Sequence, residues 1–169
     1  MSSSLPVLSP QPVPREPPEA SFRAHLAVWQ RLLLMVAGSG LLSLLVVAAC
    51  LSPNPQGLGT HRQLGLPPCT MVQLFELRCP ACGMTTSWSL FVRGRWLTAL
   101  ATNSGGTLLA LAAAISTPWM LFAAAAGRFW CEPPTQEWLV VGTLTIAAVT
   151  VIDWSVRSLP VILERWYGN

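Results

Sequence analysis

The chain has 169 residues, enough for one domain, and combines 52% hydrophobic residues with only 10% charged residues. A soluble domain carries about 25% charged residues, so this composition indicates a protein whose surroundings are largely lipid. The ten basic residues are all arginine and give a net charge of +3, which is too small and too scattered for a nucleic-acid-binding surface.

The chain begins with a tail and a first membrane span. Residues 1–22 are rich in proline and serine, cannot bury enough apolar surface to order themselves, and are predicted to be disordered. Residues 23–169 form the predicted helical membrane domain. Its first span, residues 32–51, is uncharged, and 20 helical residues cover about 30 Å, the thickness of the hydrocarbon core of a bilayer.

Cys50 offers a competing interpretation of that first span. The sequence Val47-Ala48-Ala49-Cys50 resembles the site at which bacterial lipoproteins are cut and lipidated. The apolar run is longer than the usual 7–15 residues of a signal peptide and follows a long lead. We therefore predict a membrane helix and an intact N-terminal tail.

Three further segments complete the predicted fold, after a Gly- and Pro-rich loop at residues 52–68. Residues 70–92 are apolar but contain Glu76, Arg78 and the helix-breaking Pro80, so we predict a broken helix. The other two spans are predicted at residues 97–126 and 138–157. The fold class is thus an all-α integral membrane protein, a small bundle of three transmembrane helices plus a fourth, broken one that carries the Cys-Pro-x-Cys sequence.

Details of the later spans give more specific expectations. Pro118 is predicted to kink or end the regular part of its helix, and the small residues around it suit close helix contacts. Asn103 is expected to bond between helices. Asp153 lies in an apolar helix four residues before Arg157, and this spacing predicts an ion pair.

Arginine positions predict the topology, because basic residues in short loops favour the cytoplasmic side. If residues 70–92 cross, seven arginines fall inside and two outside; if they do not, the better count is six against four. The first arrangement places both termini in the cytoplasm and makes the chain a four-span protein of the cell (inner) membrane. The lipid bilayer is the expected partner, and a membrane-protein partner or a second copy of the chain stays open.

The most distinctive sequence is Cys79-Pro80-Ala81-Cys82-Gly83. Pro80 fits the first position of a helix, where its missing N–H costs nothing, so Cys79 is predicted to cap that helix and Cys82 to lie in its first turn. Unpaired amides there favour a thiolate, whereas apolar burial raises a thiol pKa. The balance between the two effects depends on access to water.

Three interpretations of the cysteines remain open. The two thiols are packed and the motif shapes a break in a helix; or Cys79 and Cys82 form a catalytic redox pair; or they belong to a metal site completed by Cys69 and His61. Histidine, charge and pocket signals are sparse around the pair, so the sequence narrowly favours the first and gives no firm sign of enzymatic activity. No cofactor-binding motif is present.

This motif resembles the bacterial membrane protein family known as domain of unknown function 2752. The matching residues are Cys79, Pro80, Cys82, Gly83, Met84, Thr85, Leu90, Gly94, Ala99 and Asn103. Gly65 to Cys69 is similar to a lead-in found in one branch of the family, and many members carry an arginine where this chain has Thr86. The resemblance covers roughly residues 59–122 and implies a bacterial membrane protein without an assigned activity.

Overall fold

The structure, a computed structural model, describes residues 25–129 and 131–167. This part of the chain contains helices and no strand, which confirms the predicted all-α class. The helices are α1 (Val28–Cys50), a 3-10 helix (Thr60–Leu64), α2 (Thr70–Phe75), α3 (Met84–Phe91), α4 (Trp96–Thr102), α5 (Ser104–Ala126) and α6 (Gln136–Tyr167). The predicted disordered tail, residues 1–22, lies outside the described residues.

Helices α1, α5 and α6 are long and apolar enough to cross a membrane. They correspond to the predicted spans 32–51, 97–126 and 138–157. Many of their large apolar side chains are exposed, and exposed apolar surface of this extent marks contact with a membrane or a partner. The three helices therefore fit a membrane protein, as predicted.

Helices α1 and α5 run antiparallel and close together. The amide of Leu26, just before α1, donates to the carbonyl of Gly127, just after α5, at 2.8 Å. Along the pair, a Cβ added to Gly38 would lie 2.9 Å from Leu121 Cδ2, so a side chain there would require Leu121 to shift. Small residues allow backbones to approach in this way.

Residues 51–103 connect the end of α1 to the start of α5, and we call them the cap. Their interior is polar: the fully buried side chains include Thr60, Thr86, Ser87 and Ser89. The hydroxyls of Thr60 and Thr86 lie 2.8 Å apart, and Ser89 Oγ donates to the carbonyl of Leu51 at 2.6 Å. Hydroxyl groups can be buried without penalty when each has a hydrogen-bond partner.

The predicted broken helix at residues 70–92 consists of α2 and α3, separated by non-helical residues 76–83. Helix α3 has eight residues and is about 12 Å long. Its Ser87 packs against Gly106 at the start of α5, and Arg93, just after it, donates to the carbonyl of Ala49 at the end of α1. Because α1 and α5 are antiparallel, both contacts lie at the same end of the pair.

The predicted span 97–126 is not a single helix. Asn103 has an extended backbone, with φ −159° and ψ 106°, and separates α4 from α5. Its Oδ1 accepts from the amide of Gly106 at 2.6 Å, so Asn103 is the N-cap of α5. Pro118 lies inside α5 without ending it. Of the two predicted outcomes, a kink or an end of the regular helix, the second is therefore wrong.

Arginine side chains bind the C-terminal ends of four helices. The bonds run from Arg31 to the carbonyls of Ala124 and Ala125 (2.9 and 3.2 Å), from Arg93 to Ala48 and Ala49 (3.3 and 2.9 Å), from Arg157 to Thr102 (2.6 Å) and from Arg165 to Phe75 (3.1 Å). Carbonyls in the last turn have no partner within their own helix. A cation there also complements the helix dipole.

The predicted ion pair on α6 is confirmed. Arg157 Nη2 lies 2.8 Å from Asp153 Oδ1, and Arg157 Nε donates to the same oxygen at 2.9 Å. Because another nitrogen of Arg157 binds the carbonyl of Thr102, the pair also ties α6 to the end of α4.

Candidate functional site

The Cys-Pro-x-Cys-Gly sequence forms a turn, not the start of a helix. The amide of Cys82 donates to the carbonyl of Cys79 at 2.9 Å, and Gly83 has a left-handed backbone with φ 89°. Helix α3 begins only at Met84. The prediction that Pro80 opens a helix capped by Cys79 is therefore wrong, because the left-handed residue reverses the chain before the helix begins.

The fold brings a third thiol to this turn. Cys69, at the start of α2, has its Sγ 3.6 Å from Cys79 Sγ, and Cys79 Sγ lies 2.9 Å from Cys82 Sγ. All three sulfurs lie within 4.8 Å of one another. The amide of Cys79 also donates to Cys82 Sγ at 3.2 Å, a bond that favours the thiolate form of Cys82.

Asn103 holds this turn against the membrane helices. Its Nδ2 donates to the carbonyls of Pro80 (3.0 Å) and Cys82 (3.1 Å). Trp154 of α6 donates to the carbonyl of Arg78 at 2.6 Å. Asn103 therefore bonds the start of α5 to the turn and not to another helix as expected, and residues of α5 and α6 position the cysteines.

The thiols differ in acidity. Hydrogen bonding to the amide of Val72 lowers the pKa of Cys69, against a smaller opposing effect of burial. Burial raises the pKa of Cys82 to about 12, because a thiolate is poorly solvated there. Cys69 is therefore the more reactive of the two at neutral pH.

A cavity of about 430 Å³ opens beside the three cysteines. His61, on the 3-10 helix, lines it together with Arg62 and Met84, and the described lining contains no carboxylate. His61 Nε2 lies 3.2 Å from the carbonyl of Pro67. Sequence reasoning missed this cavity, because its walls come from three separate segments of the cap that only the tertiary fold brings together.

The other two cysteines lie elsewhere. Cys50, at the end of α1, and Cys131 are exposed and do not belong to the thiol cluster. Of the predicted metal set, Cys69, Cys79 and Cys82 are close together and His61 lies on the wall of the same cavity. The predicted redox pair, Cys79 and Cys82, is adjacent. Thr86, where many members of the resembling family carry arginine, is buried against Thr60.

Residues 69–117 match the model of a family described as "Protein of unknown function (DUF2752)". The match includes all three clustered cysteines and Asn103, and it supports the predicted resemblance to this family over that part of the chain. Comparisons with curated proteins and with solved structures find no significant match.

Proposed function

We propose that the chain is a membrane protein that binds a thiophilic metal ion, of which Zn²⁺ is the leading candidate, through Cys69, Cys79 and Cys82. The observation that carries this proposal is the convergence of three sulfurs within 4.8 Å. A redox pair needs two thiols, and a packed helix break needs none. Three soft ligands around one point are typical of zinc and related metals.

The sulfur positions are compatible with tetrahedral coordination. Zinc–sulfur bonds of about 2.3 Å place two ligand sulfurs roughly 3.8 Å apart. Cys69 and Cys79 are close to that separation at 3.6 Å. Cys79 and Cys82, at 2.9 Å, need to separate by about 1 Å, which a small side-chain rotation supplies.

The surroundings of the thiols support the same class of metal. The described lining of the cavity offers sulfur and imidazole but no carboxylate, whereas Mg²⁺ and Ca²⁺ require oxygen ligands. A bound metal cation replaces thiol protons, and its positive charge stabilises the half-buried thiolates. The metal would join the start of α2 to the turn before α3 and so stabilise the cap.

The test is metal analysis of the full chain purified in detergent. We expect about one zinc per chain by the proposal, and a loss of that zinc in Cys69→Ser, Cys79→Ser and Cys82→Ser. Cys50→Ser and Cys131→Ser are the matched controls and should keep it. Zinc-free wild-type protein that also fails to bind added Zn²⁺ or Co²⁺ would overturn the proposal.

Thiol–disulfide exchange is the second candidate function, favoured by the 2.9 Å separation of Cys79 and Cys82. Oxidation of the two thiols forms one S–S bond and releases two electrons and two protons to a disulfide or a quinone. Cys69 is close enough to Cys79 to attack such a disulfide. Thiol trapping in intact cells distinguishes the two: a reversible Cys79–Cys82 disulfide supports exchange, and thiols that become accessible only after chelation support the metal.

For the membrane arrangement, we propose three crossings with the whole cap on one side. The support is that the two ends of α3 bind the same end of the α1–α5 pair. The predicted four crossings required residues 70–92 to span, whereas α3 is about 12 Å long against a hydrocarbon core of about 30 Å. Three crossings place the termini on opposite sides, unlike the predicted cytoplasmic location of both.

The orientation in this proposal follows the first helix, which usually dominates insertion. Arg15, Arg23 and Arg31 lie before or within the first turns of α1, and only Arg62 follows it closely. This places the N-terminus in the cytoplasm and the cap, with its cysteines, on the outer side of the bacterial inner membrane. Counted over the whole chain, six arginines lie at the cap end of the helices and four at the other end. This count favours the opposite orientation, with the cap in the cytoplasm, so reporter fusions decide between the two.

A further inference from the structure

The proposed three-thiolate site has room for a fourth ligand, and His61, which lies outside the cluster of three sulfurs but lines the same cavity, offers an imidazole. We infer that His61 completes the site through Nδ1 and makes it a closed Cys₃His centre. This inference rests on the proposed metal site. It adds the ligand that decides whether the metal is a structural ion or one with an open position for a substrate.

The hydrogen bond of His61 fixes which ring nitrogen is free. Its Nε2 lies 3.2 Å from the carbonyl oxygen of Pro67. A carbonyl can only accept, so Nε2 carries the proton and Nδ1 of the neutral ring keeps its lone pair. Metal-binding histidines are commonly oriented in this way, with one nitrogen donating to a backbone carbonyl and the other facing the metal.

The location of His61 agrees with this role. It lies on the 3-10 helix and lines the same cavity as all three cysteines. The loop that holds its imidazole, with Pro67 as acceptor, leads directly to Cys69. The four ligands therefore come from one continuous stretch, residues 61–82, with the pattern His-x7-Cys-x9-Cys-x2-Cys.

The mounting of His61 is also well defined. Thr60, its neighbour, is fully buried, accepts from the amide of Asn54 at 3.1 Å and bonds to Thr86 of α3. The 3-10 helix that carries His61 is thereby tied to the helix that follows the Cys-Pro-x-Cys turn. Two of the ligand-bearing segments are held at a fixed separation before any metal binds, which lowers the ordering cost of coordination.

A closed Cys₃His centre predicts a structural metal. Tetrahedral sites with four protein ligands are structural, whereas catalytic zinc keeps one position for water or substrate. Coordination would require the imidazole of His61 to turn toward the thiols while Nε2 keeps its hydrogen bond to Pro67, and the metal would fill part of the cavity. The metal would connect the 3-10 helix, α2 and the turn before α3.

Cobalt substitution in the full-length, detergent-solubilised chain tests the fourth ligand. Co²⁺ absorption reports thiolates through charge-transfer bands and the complete ligand set through d–d bands. We expect wild-type spectra of a tetrahedral S₃N site. His61→Ala should shift the d–d bands and weaken Zn²⁺ binding by more than the ~10–100-fold that loss of an outer-shell partner costs.

Two further variants make the result decisive. His61→Cys should retain tight binding and move the d–d bands toward those of a four-thiolate site, which excludes simple misfolding as the cause of the His61→Ala effect. His25→Ala, at the other histidine, should behave as wild type. Thiolate–cobalt bands that are identical in wild type, His61→Ala and His61→Cys would overturn the inference and leave the three-cysteine site intact. Absence of those bands from the wild type would instead overturn the proposed function.

Discussion

Asn103 and Cys82 are 21 residues apart in sequence and are joined by a hydrogen bond of 3.1 Å from Nδ2 to the carbonyl oxygen. The same side chain caps α5 through its oxygen, which accepts from Gly106 at 2.6 Å. One buried amide thus connects the start of a membrane helix to the cysteine turn. The cysteine turn is therefore fixed relative to the bilayer.

Substitution can separate the two functions of the Asn103 side chain, the capping of α5 by its oxygen and the bonds from its nitrogen to the turn. Asn103→Ala should lose about 0.5–2 kcal/mol of capping and about 1 kcal/mol for each bond to the turn, with lower thermal stability and weaker zinc binding. Asn103→Asp keeps an oxygen for the amide of Gly106 but removes both donors. We expect Asn103→Asp to recover part of the stability, measured by thermal unfolding in detergent, and none of the zinc affinity. Full affinity in both variants would show that Asn103 does not position the site.

Gly83 gives a prediction about the turn itself. Gly83→Ala should cost about 1–2 kcal/mol, because its φ is 89° and side chains disfavour the left-handed region. The total loss of stability should exceed this backbone strain, since the added Cβ would also lie 2.9 Å from the carbonyl oxygen of Gly57. Gly94→Ala is the matched control, with φ 73° and no atom within 4 Å of an added Cβ. Only Gly83→Ala should also impair metal binding, and equal effects of both variants would contradict the close packing of the turn.

The acidity of the thiols predicts an order of alkylation in metal-free protein. At pH 8, Cys69, whose pKa is lowered, carries more thiolate than Cys82, whose pKa is raised to about 12. Iodoacetamide should therefore modify Cys69 first, and peptide mass spectrometry after short exposures measures the order. Raising the pH toward 12 should narrow the difference, because Cys82 then ionises. Unfolding in denaturant should abolish it, and preferential modification of Cys82 in the folded chain would contradict the assignment.

Reporter fusions test the three crossings. Fusions after Asn54 and Arg95 should report the same side of the membrane, because both positions lie in the cap. A fusion after Pro133 should report the opposite side, and one after Asn169 should agree with the first two. The four-crossing arrangement places Arg95 opposite to Asn54, so this one pair of fusions separates the two topologies.

Arg93 provides the fifth test. Its Nη1 and Nη2 reach the carbonyls of Ala48 and Ala49, and Nη1 also binds the carbonyl and hydroxyl of Ser89. Lysine keeps the charge but lacks the forked donors, so Arg93→Lys should lose about 1.5–3 kcal/mol, measured by thermal unfolding in detergent. The exposed Arg95 is the control, and Arg95→Lys should change stability little. Equal stability of the two variants would argue against the cap contact.

The sequence predicted the long helices well because their signal is local. Long apolar runs predicted the three spanning helices, and the four-residue spacing predicted the Asp153–Arg157 pair. The helix break at Asn103 was also visible in principle, since Asn is a preferred N-cap residue. The prediction missed this break because hydropathy alone does not identify an N-cap residue.

The site depended on contacts that no local pattern contains. Cys69 reaches Cys79 only because α2 returns across the cap, and the cavity needs walls from separate segments. The arginine count placed Arg93 across the membrane from Arg62, on the other side of the predicted crossing at residues 70–92. In the structure Arg93 binds the end of α1, a tertiary contact that charge counting cannot represent.

The arginine side chains that bind the C-terminal ends of helices have a consequence for the insertion and folding of this chain. During insertion a basic residue in a short loop favours one side of the membrane, and in the folded chain the guanidinium of Arg93 binds the carbonyls at the end of α1. Lysine at position 93 keeps the positive charge that acts during insertion, but it lacks the forked donors that bind the end of α1. Arg93→Lys should therefore yield molecules that insert with the correct topology but lack the guanidinium contact at the end of α1. Substitutions at this one residue can thus separate errors of insertion from errors of folding.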